Sequence, residues 1–153
     1  MVSFGAIRVD EKLETTFFGQ CAPISSVWQD AALAISKITR KTHLTYPPPV
    51  LAITNFDNWV AETSGGQQPV FITDNLAFDW MWMNYYLHRF SGRNVFGWSG
   101  RRIGDIYAGM HKDMRAGWKH LRRARHDHNP VNDALGNAEA LLRMAEMGVR
   151  GIL

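Results

Sequence analysis

The sequence predicts an α/β fold, a mixed twisted sheet flanked by helices, formed as a single domain over residues 1–153. Three observations predict it. Two β-rich runs, residues 2–9 and 13–22, flank the charged turn Asp10-Glu11-Lys12 as the arms of a hairpin do. An apolar, β-branched run at 69–73 breaks directly into a helical pattern. A terminal segment from Pro130 carries Ala134, Ala138, Leu141, Leu142 and Ala145 at helical spacing, which gives a helix with one buried face.

Composition bounds the class. At 46% hydrophobic and 20% charged, the 153 residues can fill one core, and neither a repeat nor a disordered bias is present. No run approaches the ~20 apolar residues of a membrane helix, and the N-terminus lacks the basic-then-apolar order of a signal peptide, so no membrane partner is expected. The lone Cys21 has no partner for an internal disulfide, which makes a cytoplasmic setting the default. Cys21 reads as a small buried hydrophobe rather than a catalytic thiol.

Taken in order, Gly5 interrupts the first run, as a glycine does where another backbone approaches closely. Asp10 and Glu11 are adjacent on a turn and point to opposite sides, which makes them a poor acid pair. A short helix is expected over 28–35, then a polar connection over 37–46. Pro47-Pro48-Pro49 sets the first turn of a helix over 50–63, whose Ile53, Phe56 and Val60 share a face. Residues 64–68 form a turn, without the Lys-Ser/Thr that a phosphate-cradling loop requires. The helix over 76–90 is aromatic on all sides, so much of it must be covered. Residues 91–100 form a loop and 101–110 a helix. His120 and His126 are expected in solvent. A zinc site of His126, His128 and Asp133 lacks the fourth ligand that structural zinc takes.

Two stretches carry chemistry. Asn75-Leu76-Ala77-Phe78-Asp79 lies where the strand at 69–73 meets its helix, and His128 precedes Asp133, which opens the terminal helix. A loop imidazole beside a carboxylate on a rigid element suits removal of a proton from an attacking water. A solvated histidine and a dipole-stabilising acid would give the same spacing. Together, however, Asn-x-x-Phe-Asp after a strand and His-x-x-x-x-Asp opening the last helix resemble the second and third motifs of the DEDDh 3′-to-5′ exonucleases. The resemblance covers most of the chain. It implies a ribonuclease-H-like mixed sheet and two divalent cations, Mg²⁺ or Mn²⁺. It also implies roles: His128 as general base, Asp133 as ligand of the cation that holds the nucleophilic water, and Asp79 as support for the ions. Asn75, Phe78 and Trp80 would meet the terminal nucleotide, the rings by stacking.

The first motif of that family, Asp-x-Glu on a central strand, occurs nowhere in these residues. Without it the two-ion site lacks its bridging acids, the expected activity is weak or nil, and the sheet lacks its central strand. A start codon placed too late, a truncation and a naturally short protein would each account for this, and the late start is favoured because Met1 falls inside a strand-like run. A strand from a second copy, in a homodimer, would also fill the gap.

The net charge of +3 conceals a segment. Between Arg93 and Arg125 nine Lys and Arg face only Asp105 and Asp113, a local balance of +7 that leaves −4 elsewhere. Within it Arg115, Lys119, Arg122 and Arg123 are candidates to track the phosphates of single-stranded RNA or DNA, the alternative being a solvated helical face. Two functions of different kinds follow: a 3′-to-5′ exonuclease acting on single-stranded ends, and a catalytically dead nucleic-acid-binding module.

Overall fold

The computed structural model describes residues 1–124 and 126–153, so Arg125, the last of the basic run, lies outside it. The hairpin forms as expected: β1 (Ser3–Ile7) pairs antiparallel with β2 (Thr16–Gln20), with Gly5 opposite Phe18. Asp10 closes the turn, its Oδ1 accepting from the backbone N–H groups of Lys12 (3.1 Å) and Leu13 (2.8 Å). Such Asx geometry satisfies two turn amides and commits that carboxylate to structure.

The short helix is α1 (Asp30–Ile35). The stretch expected as a polar connection contains one further turn of helix, α2 (Arg40–His43), capped where Thr39 accepts from the Thr42 N–H. Its end is tied down by His43, which is buried and lies 3.0 Å from the Cys21 carbonyl through Nε2. That tertiary anchor is what a polar sequence could not disclose. The proline-led helix, α3 (Pro49–Thr63), buries Ala52, Ile53, Phe56 and Val60 on one face.

The second strand pair departs more from expectation. β3 (Phe71–Thr73) runs into the aromatic helix α4 (Leu76–Ser91), and β4 (Gly100–Arg102) returns parallel to β3 with Phe71 opposite Gly100. Arg101 and Arg102 are therefore strand, not the start of a helix, which begins only at α5 (Ile103–His111). A Cβ at Gly100 would lie 2.6 Å from Leu76 Cδ1 and 3.1 Å from the Phe71 carbonyl oxygen, so the close pairing overrides the helical pattern there. A single 3₁₀ turn at Lys119–Leu121 precedes the final helix, α6 (Pro130–Glu146).

Two apolar cores result. The first joins Phe4 and Cys21 to Phe56, Met83, Tyr86 and Leu87, with Phe17 and Phe71 packed against it, and so holds both strand pairs to α3 and α4. The second gathers Ile103, Tyr107, Trp118, Leu121, Leu141 and Met144 around α5 and α6. Among the described residues no hydrogen-bonded ladder joins β1–β2 to β3–β4, so the sheet is present as two halves. No helix among the described residues is long and apolar enough to cross a membrane.

The start of α6 is seated on β1 by main-chain contact. A Cβ built on Gly5 would stand 2.4 Å from the Pro130 carbonyl carbon and 2.5 Å from the Val131 nitrogen. Gly5→Ala should therefore push strand and helix apart. Overpacking of this kind costs about 1–3 kcal/mol, which for a domain of this size is a drop in Tm of roughly 2–10 °C. A thermal melt superimposable on the parent's would show that the contact is not there in solution.

Candidate active site

The first turn of α6 is built to hold a side chain still. Asn129 caps the helix, its side chain accepting from the N–H groups of Val131 and Asn132, and Pro130 supplies the preset first helical residue. Asp127 accepts from the Asn129 N–H and the Asn132 side-chain amide, both at 2.9 Å. Those hydrogen bonds, led by the Asn129 backbone, hold its carboxyl below the ordinary range. Between these anchors His128 takes φ +65°, a left-handed conformation that histidine tolerates better than most residues.

Asp133, in that first turn, meets both histidines. His126 Nδ1 lies 2.7 Å from Asp133 Oδ1, the His126 and His128 rings stand edge to face at 4.5 Å, and one ligand atom from each of the three residues lies within 4.8 Å of the others. His126 is exposed, as expected, and in addition its Nδ1 abuts the carboxylate. The approach is close without hydrogen-bond alignment, and Asp133 Oδ1, shielded from water, has no hydrogen-bond partner among the described residues. Of the three, only Asp133 offers the oxygen that a hard divalent cation prefers, so it is the residue that would hold one.

Asp79 is placed differently. It sits in the first turn of α4 and accepts a short hydrogen bond from the hydroxyl of Thr73, the last residue of β3. It is not part of the His126–His128–Asp133 group. Partial burial pushes its carboxyl above the ordinary 3.8, Asp74 adds to this, and the Thr73 and Asn75 hydrogen bonds oppose it. An acid whose pKa is raised by folding binds its proton more tightly in the folded state. Stability is then lost as pH climbs from about 4 through the raised value, and stays lower at neutral pH. Asp79→Asn keeps an acceptor for Thr73 and removes the charge, so it should raise Tm at pH 7 and flatten the fall above pH 4. A lower Tm at pH 7 would mean that the ionised carboxylate is a net stabiliser.

The other candidates divide. Asn75 stands at the N-cap position of α4 without its side chain capping the helix, and Phe78 is 56% exposed. Trp80 is half-buried, its ring 5.3 Å from Phe71. In the basic segment Arg115 and Arg123 are exposed. Lys119 reaches Asp74 at 3.6 Å but remains largely in solvent. Arg122 is spent on the fold: its side chain is 11% exposed, lies 4.7 Å over Trp118, donates to Asn137 and pairs with Asp74 at 3.6 Å. Asp74 follows β3 and Asn137 belongs to α6, so this guanidinium ties the Asp79 junction to the Asp133 helix.

Sequence reasoning missed Arg122 in that capacity, and it missed Glu139. The Glu139 carboxylate accepts from the backbone N–H groups of Arg123 (2.8 Å) and Ala124 (2.7 Å), pinning the loop that leads to His126. Nothing local announces a contact made across fifteen residues. For the first turn of α6 a signal did exist, since Asp127-x-Asn129-Pro130 is a turn followed by a capped, proline-led helix.

A strand hairpin, a strand running into a helix with an acid in its first turn, and a terminal helix opened by a histidine loop are the parts of the DEDDh nuclease fold, and the chain superposes on it. The nuclease domain of 3′hExo, a DEDDh family member bound to rAMP, matches with a TM-score of 0.76 at 15% identity, over 96% of this chain and 81% of that one. Cell-death related nuclease 4 matches with a TM-score of 0.66 at 16% identity, over 88% of this chain and 51% of that one. In sequence the chain is similar to the 3′-5′ DNA exonuclease Cap18 of Escherichia coli, 29% identical over 151 residues that span 91% of this chain and 79% of that protein. No family model matches. The resemblance to the DEDDh exonucleases read from the two motifs is borne out.

Proposed function

We propose that the chain is a metal-dependent 3′-to-5′ exonuclease that hydrolyses phosphodiester bonds at single-stranded nucleic-acid ends, in a cytoplasmic setting. The observation that carries this reading is the convergence of His126 and His128 on the Asp133 carboxylate at the start of α6, within a DEDDh nuclease fold. Asp133 would hold a divalent cation, Mg²⁺ or Mn²⁺ by preference for oxygen ligands. When bound, such an ion supplies the acidity that lets water attack at neutral pH and the positive charge that a phosphodiester transition state needs.

The chain's own residues do the rest. His128, whose ring is exposed beside Asp133, takes the proton of the attacking water at a ring nitrogen as the bond from phosphorus to the 3′-oxygen breaks. His126 fixes the Asp133 carboxylate from one side. Phe78, exposed beside Asp79, offers a face to the terminal base, and the Asn75 amide, which caps nothing among the described residues, can hydrogen-bond it; Trp80, two residues on, lies round the helix from Phe78. Asp79 would help hold a second cation if further carboxylates joined it. The substrate is RNA or DNA. Cap18 acts by name on DNA, which makes a DNA strand the first to test.

The test is a single strand labelled at its 5′ end, incubated with and without Mn²⁺. Stepwise shortening from the 3′ end that needs the ion supports the reading. Binding without shortening at any metal concentration leaves the dead binding module.

The basic segment adds a separate prediction. Arg115 and Arg123 have no carboxylate partner among the described residues, so replacing both by Ala should weaken single-strand binding and flatten its salt dependence by about 0.7 log units per lost contact. Arg122→Ala should instead lower Tm, because it empties a buried position. An unchanged slope in the double variant would retire Arg115 and Arg123 as phosphate contacts.

A further inference from the structure

A cleft of about 470 Å³ runs beside α4, remote in sequence from the histidine loop. Trp80, Asn84 and His88 line it at four-residue spacing along one helix face, and Arg93, Asn94 and Trp98 close it from the following loop. Its volume falls within the range of small-molecule binding sites. The two tryptophans differ in kind. Trp80 is half-buried against Phe71, whereas Trp98 is 94% exposed and forgoes the burial that large aromatic side chains ordinarily obtain.

Trp98 is nevertheless presented from a fixed loop. Asn94 donates to Asn84 at 2.8 Å and accepts from the Phe96 N–H at 3.0 Å, Gln68 donates to the Val95 carbonyl at 2.6 Å, and Phe96 packs into the first core. Gly97, at φ +75°, then turns the chain so that the indole projects outward. Among the described residues no carboxylate lines the cleft, and Arg93 also pairs with Asp57 at 3.3 Å. An exposed indole, a second aromatic face, amide groups and a cationic rim suit a ligand that is flat, π-rich and anionic. Nucleic-acid bases on their phosphate backbone have all three properties.

Position suggests which part of a strand. Trp80 directly follows Asp79 on α4, so the cleft starts within one turn of that acid and extends from Trp80 to His88, about 12 Å along the helix. That length takes about three bases stacked at roughly 3.4 Å. We propose that this groove is a subsite for the nucleotides upstream of the 3′ end, with bases stacked on Trp98 and Trp80 and phosphates met by Arg93 and His88. The proposal rests on the exonuclease reading above and extends it to how far the enzyme grips its strand.

The test compares the parent with Trp98→Ala and Trp98→Phe, variants of an exposed side chain that the fold does not use. Binding of a labelled deoxydecanucleotide is measured by fluorescence anisotropy in Ca²⁺, and hydrolysis of that strand and of a dinucleotide in Mn²⁺. Loss of one stacked base corresponds to roughly 5- to 100-fold weaker binding of the decanucleotide by Trp98→Ala, with Trp98→Phe restoring most of it and dinucleotide hydrolysis unchanged. Equal decanucleotide affinity in parent and Trp98→Ala overturns the subsite and leaves the exonuclease standing. A parallel loss on the dinucleotide overturns its upstream placement. A parent that hydrolyses neither substrate removes the exonuclease reading, and the groove then stands only if the decanucleotide still binds through Trp98.

Discussion

His128→Ala is expected to slow 3′-end hydrolysis by roughly 10²- to 10⁴-fold, the range lost with a general base, with little change in strand affinity or in the Mn²⁺ concentration that gives half-maximal rate. The backbone complicates the reading of that variant, because His128 stands at φ +65° and alanine is less at home there. His128→Asn is the proper companion. Asparagine accepts left-handed geometry but has no imidazole, so both variants should be equally slow. An active His128→Asn beside a slow His128→Ala would assign the defect to loop geometry. Asp133→Asn should fail in another way, shifting the metal titration to higher concentration. His126 is the informative control, since it is the imidazole that abuts Asp133 at 2.7 Å. A large rate loss at His126 with none at His128 would sink the assignment of the base.

A strand bearing Asp-x-Glu, fused ahead of residue 1, should raise thermal stability and Mn²⁺-dependent exonuclease rate together. The carboxylates Asp79 and Asp133 belong to opposite halves of the molecule: Asp79 is bonded to the end of β3, and Asp133 opens a helix seated on β1. Neither strand has a second strand partner among the described residues. One strand laddered between them would satisfy backbone groups on both edges. Its two acids would complete a two-cation set that Asp79 and Asp133 do not form alone. The two gains have one cause, so they should be inseparable. A strand that stabilises the fold without raising the rate, or one in which Asp-x-Glu→Asn-x-Gln matches the acidic version in activity, would show that the site is not built this way.

What could be read from the sequence was what is written locally. The hairpin, α3 and the strand-to-helix junction at Asp79 each announce themselves through alternation, a proline or an abrupt change of period. Gly5 even disclosed that another backbone comes near, though not which one. The errors fell where a distant partner decides. Arg101 and Arg102 follow a helical pattern, but the approach of Gly100 to Phe71 makes them strand. His126 is a solvated residue as expected, but its contact with Asp133 depends on where α6 places that acid. The basic run looked uniform, yet Arg122 differs from Arg123 entirely, one stacked on Trp118 between two elements and the other in solvent. Charge is a property of the residue, but whether that charge is available to a ligand is a property of the fold.

The contact of Gly5 with Pro130 makes the final helix a lever with its fulcrum at the site. Main-chain atoms on both sides leave no rotamer to adjust, so the spacing at that end is set by atomic radii alone. The other end is gripped by deformable side chains, Leu141 and Met144 among them, about 25 Å of helix in all separating the two termini. Loss of packing at the far end leaves this main-chain contact in place, and with it the seat of Asp133, three residues along the helix. Truncations such as Met144→Ala should then cost stability long before they cost geometry at the carboxylate, whereas one methyl group at position 5 moves the pivot itself.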